Sequence, residues 1–381
     1  MKLLYVTDAL TVWGGMEKVL SLKVNFFMNN CDYKVMVLTT NQGGHAISFP
    51  FHHDVSLKDL DIHFQTQYQY CGWARWRCYR SLHVLFRKRL KDVLKNFCPD
   101  IIICLRVEYV SDIVSVKGHI PLVFESHSTF WTSRFEGSGV FRRFHTLWMN
   151  MAVRKVAAVV ALTEGDSVIW RKLNKSVYVI PNVAAINPTE SFSNCLSKTA
   201  MFVGRLSRQK GIERLLDIWN QVHKRYPEWR LHIYGERGDI EETLYQKLLD
   251  GSIGVVVHNP IEDIIDEYKK HSILLLTSWY EPFGLVLPEA MSCGLPVVAF
   301  DCPYGPADII SPGKDGFLIR DNCMSDYADK VCNMIENEEL RQTMGKAGSE
   351  SARRYSAAVI MPLWDKLFKD VLVGHMNIGS Y

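Results

Sequence analysis

Two carboxylates, Glu281 and Glu289, stand with seven residues between them in the string Thr-Ser-Trp-Tyr-Glu-Pro-Phe-Gly-Leu-Val-Leu-Pro-Glu-Ala-Met-Ser-Cys-Gly-Leu-Pro at 277–296. An apolar run, Ile273 to Leu276, feeds this string, and Pro282 and Gly284 stop the strand that the run predicts. Pro288 pre-sets the φ of an opening helical turn, and Gly294 can cap that helix at its far end. A strand, a glycine turn and a helix N-terminus aimed into one space gather backbone N–H groups and the positive end of a helix dipole, which suits an anion. Glu281, just ahead of the helix, can hydrogen-bond a neutral polyol. Glu289 lies one or two turns in, where taken alone an acid simply complements the helix N-terminus.

A second stretch supplies cations. Phe202-Val203-Gly204-Arg205-Leu206-Ser207-Arg208-Gln209-Lys210-Gly211-Ile212 follows an apolar strand run. Arg205 at a strand end, with Lys210 beside Gly211 at a helix start, brings two positive charges and helix N–H groups to one point. A departing diphosphate needs that field as its charge grows. Singly, an arginine or lysine in a loop is an ordinary surface residue. Gly14-Gly15, after the first strand run, form a turn ahead of a helix near Met16, and no Gly-x-Gly-x-x-Gly dinucleotide fingerprint is present. His127, in Val-Phe-Glu-Ser-His-Ser, closes another buried strand run, with Glu125 inside that run expected to make a structural hydrogen bond.

The 277–296 string resembles the Glu-x7-Glu signature of the family-4 retaining glycosyltransferases, and 204–211 matches that family's Gly-Arg-Leu-x-x-x-Lys-Gly motif. The resemblance implies an α/β fold of two Rossmann-like domains facing across a cleft, the GT-B fold. It also implies roles. Glu281 faces the donor sugar, Glu289 takes the nucleoside ribose hydroxyls, and the backbone of Phe283, Gly284 and Leu285 approaches sugar and phosphates. Arg205 and Lys210 take the donor diphosphate, Gly15 approaches the phosphates from the other domain, and His127 faces the sugar from the acceptor side. The string Cys302-Pro303-Tyr304-Gly305-Pro306-Ala307-Asp308-Ile309-Ile310 resembles a variant found in members that build bacterial surface polysaccharides, with Asp308 where many relatives carry Glu. Read without the resemblance, it is a rigid loop set by two prolines.

The implied reaction moves a sugar, with retention, from a nucleotide-sugar donor (a UDP-sugar by family frequency) to a glycan or lipid-linked glycan acceptor, with no cofactor and no metal. The sequence has no Asp-x-Asp metal motif before a suitable strand, and no residue stands out as a covalent nucleophile. A sugar-nucleotide epimerase of the same fold, or a non-catalytic nucleotide-sugar-binding partner subunit, are the rival readings. The Phe-Gly-Leu string between the glutamates argues against the first, and the intact Glu281, Glu289, Arg205 and Lys210 against the second.

These residues need a scaffold, and the chain is long enough for two cores at 381 residues, with ordinary hydrophobic (48%) and charged (22%) content. Strand runs rich in Val, Ile and Leu alternate with helix-length segments, which predicts parallel sheets covered on both faces. The runs are 2–7, 34–39, 101–105, 122–125, 158–162 and 177–180 in the first half, and 200–203, 230–234, 254–257, 273–277, 297–300 and 317–319 in the second. Helices are expected over 212–225, 239–249 and 261–271, and an amphipathic one from Pro362 to about Val373. Turn and linker chemistry between Pro181 and Lys198 marks a seam. The expected domains are 1–185 for the acceptor, 186–361 for the donor, and a C-terminal 362–381 helix that in the GT-B fold crosses back to the first.

A net charge of +3 gives no argument for nucleic acid, and ten scattered cysteines without a Cys-x-x-Cys pair suit a reducing compartment rather than a disulfide or zinc framework. Met1 to Asp8 reads as a strand ending in an acid rather than a signal peptide, and no apolar run approaches the ~20 residues of a membrane span. The expected place is the cytoplasm, with peripheral contact at the inner face of the plasma membrane. That contact is suggested by Trp73-Ala-Arg75-Trp76-Arg77, the basic stretch running on through Arg80, Arg87, Lys88, Arg89 and Lys91, and Phe141-Arg142-Arg143-Phe144 with Trp148. An amphipathic helix with its apolar stripe in a core is the plainer reading of the same residues.

Overall fold

The computed structural model describes residues 1–128, 140–186, 191–251, 253–261 and 263–378, apart from the side chains of 140–145 and 375–378. Chain contacts divide it into two compact units, Met1–Val183 with Ile360–Tyr381, and Ala184–Val359. Unit 1 alternates β1 (Lys2–Val6), α1 (Gly15–Asn30), β2 (Lys34–Thr39), β3 (Ser56–Asp59), α2 (Gly72–Phe97), β4 (Ile101–Cys104), α3 (Val107–Val116), β5 (Leu122–Glu125), α4 (Val140–Val153), β6 (Ala158–Ala161), α5 (Glu164–Trp170) and β7 (Val177–Val179). Unit 2 contains β8 (Thr199–Val203), α6 (Ile212–Arg225), β9 (Arg230–Tyr234), α7 (Glu242–Leu249), β10 (Val255–His258), α8 (Ile265–Tyr268), β11 (Ile273–Leu276), α9 (Val286–Ser292), β12 (Val297–Asp301), α10 (Gly305–Ile309), β13 (Gly316–Arg320), α11 (Met324–Glu336) and α12 (Glu338–Ala352). The C-terminal helix α13 (Ala357–Ile378) packs from Ile360 onward on unit 1.

Both sheets are parallel throughout, in the orders β3-β2-β1-β4-β5-β6-β7 and β10-β9-β8-β11-β12-β13. Each is doubly wound: the order runs outward one way from its first strand and then restarts beside it. Such sheets bind ligands at the carboxyl ends of the strands where the direction reverses, here β1/β4 and β8/β11. The near-continuous apolar strands follow from burial on both faces, with every residue of β4 and of β11 buried.

The strand runs expected from sequence are present to within one residue at each end. β3 was not expected. Its Ser-Leu-Lys-Asp is polar and largely exposed, and it is a strand because it pairs with Met36–Thr39 at the sheet edge. Three helices need correction. α7 begins at Glu242 rather than 239, because the Asp239 carboxylate accepts from the Arg208 amide (3.0 Å) instead of opening the helix. α8 covers only Ile265–Tyr268 of the expected 261–271, since the Asp263 carboxylate accepts from the Ile265 amide (3.2 Å) and delays the start. α13 starts at Ala357, so Pro362 lies inside it rather than at its head. Its apolar face, Trp364, Leu367 and Phe368, is buried, with Phe368 5.7 Å from Phe27 of α1 between ring centroids.

Candidate active site

The loops after β8 and β11 meet at the switch point of unit 2. Gly211, in the left-handed region (φ 67°), precedes α6, and a β-carbon there would lie 2.1 Å from the Thr277 carbonyl oxygen. Only glycine permits that approach of the α6 N-terminus to the end of β11. Thr277 Oγ1 then donates to the Lys210 carbonyl (3.1 Å), the Trp279 amide to the Gln209 carbonyl (2.8 Å), and Gln209 Nε2 to the Tyr280 carbonyl (3.1 Å). The cation loop and the glutamate loop are thereby one stitched structure.

Within it Lys210 Nζ stands 2.5 Å from Glu281 Oε1, which also accepts from Ser278 Oγ at 2.5 Å. Glu281 is 3% exposed, so this is a nearly buried carboxylate satisfied by an ammonium and a hydroxyl. Its backbone is pinned as well. The Glu281 amide donates to the Pro303 carbonyl (2.7 Å), and its carbonyl accepts from the Tyr304 and Gly305 amides (both 2.9 Å). The 302–310 string therefore serves as a clamp on Glu281. Gly305 makes this possible, since a β-carbon there would fall 1.9 Å from the Phe283 carbonyl oxygen. Asp308 is exposed and its carbonyl accepts from the Tyr355 hydroxyl (3.1 Å).

Phe283 is buried with its ring 5.4 Å from that of Tyr355, Gly284 takes φ 90°, and Leu285 caps α9. The amides of Phe283, Gly284 and Leu285 donate to no protein acceptor among the described residues. Successive backbone donors without a protein partner are the kind of group that can receive an anion or a hydroxyl. Glu289 falls in the first turn of α9, 3% exposed, and accepts from the Tyr268 hydroxyl at 3.4 Å. Burial, with Glu289 second, raises the Tyr268 phenol well above its ordinary pKa, so it stays a donor to that carboxylate. Arg205 is exposed on the same loop, with no ion pair among the described residues.

Arg214 escaped the sequence reading. On α6 it is 2% exposed, donates to the Thr277 and Ser278 carbonyls, pairs with Asp321 (2.9 Å), and lies between the Trp279 (4.0 Å) and Phe300 (4.3 Å) rings. It closes the end of β11 that carries Ser278 and Glu281. The signal was an arginine in the apolar run Ile-Glu-Arg-Leu-Leu at a helix start.

Gly15 and His127 belong to unit 1. Gly15 opens α1 and is exposed. His127 follows β5 with Nε2 2.9 Å from Glu125 Oε1, and Glu125 in turn holds buried Lys23. Glu125 thus forms a buried ion pair with Lys23 and also contacts His127, rather than making only the structural hydrogen bond expected. The basic stretch of α2 divides in two. Phe86, Leu90, Val93 and Leu94 are core, Arg87 pairs with Asp112 (3.0 Å), and Arg89 donates to the Asp61 carbonyl (2.7 Å). The first turns present exposed aromatic and basic groups together: Trp73 is 75% and Trp76 46% exposed, with Arg80 over the Trp76 ring, while Lys88 and Lys91 are exposed further along. Phe141, Arg142, Arg143 and Phe144 lie outside the described side chains, and Trp148 is exposed. No helix among the described residues is long and apolar enough to cross a membrane.

Residues 188–351 match the family model described as glycosyl transferases group 1. The chain is 25% identical over 379 residues to the amylovoran biosynthesis glycosyltransferase AmsD of Erwinia amylovora, covering 96% of this chain and 99% of that one. It is 24% identical to a lipopolysaccharide 1,6-galactosyltransferase of Salmonella typhimurium, covering 89% of this chain and 90% of the relative. Among solved structures it is similar to TarM of S. aureus, crystallised with UDP and alpha-GlcNAc-glycerol among its ligands, with a TM-score of 0.77 at 17% identity over 96% of this chain and 99% of TarM.

Proposed function

We infer that this chain, a glycosyltransferase of the GT-B fold, moves a hexose or N-acetylhexosamine from a UDP-sugar to a glycan or lipid-linked glycan of a bacterial surface polymer, with retention and without a metal ion. The observation that carries the reading is the stitched loop pair of unit 2, where Lys210 and Ser278 meet Glu281 at the switch point and the 283–285 amides that follow have no protein acceptor among the described residues. The names of the relatives, which build amylovoran and lipopolysaccharide, support the acceptor class. UDP bound to TarM supports the donor class.

In this reading the donor diphosphate lies against Arg205, Lys210 and the N-terminus of α6. The bond from the anomeric carbon to the phosphate oxygen breaks as charge gathers on the diphosphate, and these fixed positive groups stabilise that charge. An incoming diphosphate competes with Glu281 for the Lys210 ammonium, which frees the carboxylate to accept from sugar hydroxyls. Glu289 accepts from the ribose. The acceptor hydroxyl adds on the face that the leaving group vacates, and its proton passes to the departing diphosphate oxygen. For His127 and Gly15, on unit 1, the family resemblance implies contacts with the sugar and the phosphates.

The test is a thermal-shift screen against UDP-, GDP- and ADP-sugars with EDTA present. A ligand of the folded state raises the melting temperature by mass action. A shift with UDP-sugars that EDTA leaves intact is expected. A shift that needs a divalent ion would sink metal independence, and one confined to GDP- or ADP-sugars would sink the donor assignment.

Membrane contact enters through the first turns of α2. Trp73 and Trp76 offer amphipathic rings, and Arg75, Arg77 and Arg80 offer charge with no acid among residues 64–80. The protein is expected to co-sediment with phosphatidylglycerol vesicles at low salt, and Trp73→Ala/Trp76→Ala to stay in the supernatant. Equal pelleting of both would remove α2 as the contact.

A further inference from the structure

Unit 1 holds a charge cluster that its core does not require. Glu125, the last residue of β5, has no exposed side-chain surface, and the Lys23 side chain that meets it from α1 is 1% exposed. Lys23 Nζ lies 2.5 Å from both carboxylate oxygens. Lys23 shares its helix face with Val19, Leu20, Val24 and Phe27, all buried, where a leucine or methionine would be the ordinary choice. Its ammonium rests 3.8 Å from the centroid of the Trp364 ring, on α13, and 5.6 Å from that of Tyr5, on β1. A buried ion pair returns little net stability, and apolar residues of similar volume serve a core at least as well. The pair has a third member. His127 Nε2 is buried 2.9 Å from Glu125 Oε1, off the line of a directed hydrogen bond, so the contact acts through charge.

We propose that Glu125 is a positioning residue for His127, with Lys23 fixing the carboxylate and Trp364 of the C-terminal helix closing over the ammonium. This rests on the reading that His127 faces the donor sugar. Charge at Glu125 commits Nε2–H to the protein side and leaves Nδ1 as the ring nitrogen for a ligand, while the strand end fixes the plane of the ring. Lys23 keeps the carboxylate in one place, since both of its oxygens are held. Burial would raise the Glu125 carboxyl pKa, but Lys23 and then His127 outweigh it and lower it to about 2, so the anion persists at any working pH. The device differs from a hydrogen-bonded core because it couples three elements, α1, β5 and α13, to one imidazole.

The experiment compares wild type with Lys23→Met/Glu125→Met, an apolar replacement of the pair, and with His127→Ala. ¹⁵N-histidine NMR reports the His127 tautomer, and UDP release from UDP-N-acetylglucosamine and UDP-galactose reports turnover. The double variant is expected to fold with a Tm close to wild type and to lose the single Nε2–H tautomer. Its kcat should fall about 10- to 100-fold with donor KM little changed. Should the double variant not fold, Glu125→Gln keeps the shape and the same two readouts. A folded variant with an unchanged His127 spectrum and unchanged kcat overturns the proposal. Loss of turnover in His127→Ala alone overturns only the positioning role. Wild-type turnover in His127→Ala overturns it together with the reading of His127.

Discussion

The Lys210 ammonium, 2.5 Å from Glu281 and 20% exposed, is shared between a protein carboxylate and the diphosphate it is proposed to receive. Each partner of such a pair is left with an unbalanced charge when the other is removed. Glu281→Ala and Lys210→Ala are each expected to lower turnover about 100-fold or more while leaving the protein folded, as for the loss of a group aimed at transition-state charge. Steady-state UDP release checks this, and wild-type rates in either folded variant would sink both assignments. In equilibrium unfolding, the double variant should show a coupling of about 1–2 kcal/mol between the two sites. Ser278 belongs to the same set because its hydroxyl shares the oxygen that Lys210 holds.

At the scale of elements, the site depends on how closely a helix start can approach a strand end. Gly211 allows α6 to begin against the Thr277 carbonyl, and Arg214 one turn later ties the Thr277 and Ser278 carbonyls to the same helix. Gly211→Ala combines a strained positive φ with a clash against backbone that cannot move aside. It should cost about 2–4 kcal/mol, read as a lower denaturant midpoint at unchanged slope. A midpoint within experimental error of wild type would mean that the two loops are not held by this contact. Gly305 plays the same part against Phe283 on the other side of Glu281.

Across the molecule, both units bury charge in ion pairs, Lys23 with Glu125 in unit 1 and Arg214 with Asp321 in unit 2. Unit 2 also buries an imidazole, His271, just ahead of β11. Burial first, then the neighbouring His232, lowers His271 to about 4, against a partial upward pull from Glu267. Tyr234 OH and Thr199 Oγ1 lie 3.2 and 2.9 Å from its two nitrogens, and His258 and Lys270 add further positive potential. The folded ring binds its proton more weakly than the unfolded one. The stability it contributes is therefore complete above about pH 6.5 and is lost as pH falls toward 4, by about 2–3 kcal/mol. Unfolding midpoints between pH 7 and pH 4.5 should fall more steeply for wild type than for His271→Gln. Equal slopes would show that the ring titrates as it does in the unfolded chain.

Local chemistry made much of this protein legible before any fold was known. Uninterrupted Val/Ile/Leu runs name buried parallel strands because both their faces must be apolar, and all but the polar edge strand β3 were visible that way. The glycines and charges of 204–211 and 277–296 marked two loops where a strand end meets a helix start, because backbone φ and helix starts are set by neighbours in the chain, and the structure joins those loops. Sequence could not show that Lys210 and Glu281 pair, that the 302–310 string clamps Glu281, that Arg214 is buried against the end of β11, or that Lys23 is buried against Glu125. Those contacts join residues 71, 63 and 102 positions apart, and only sheet order and helix packing bring such distant atoms within hydrogen-bonding reach.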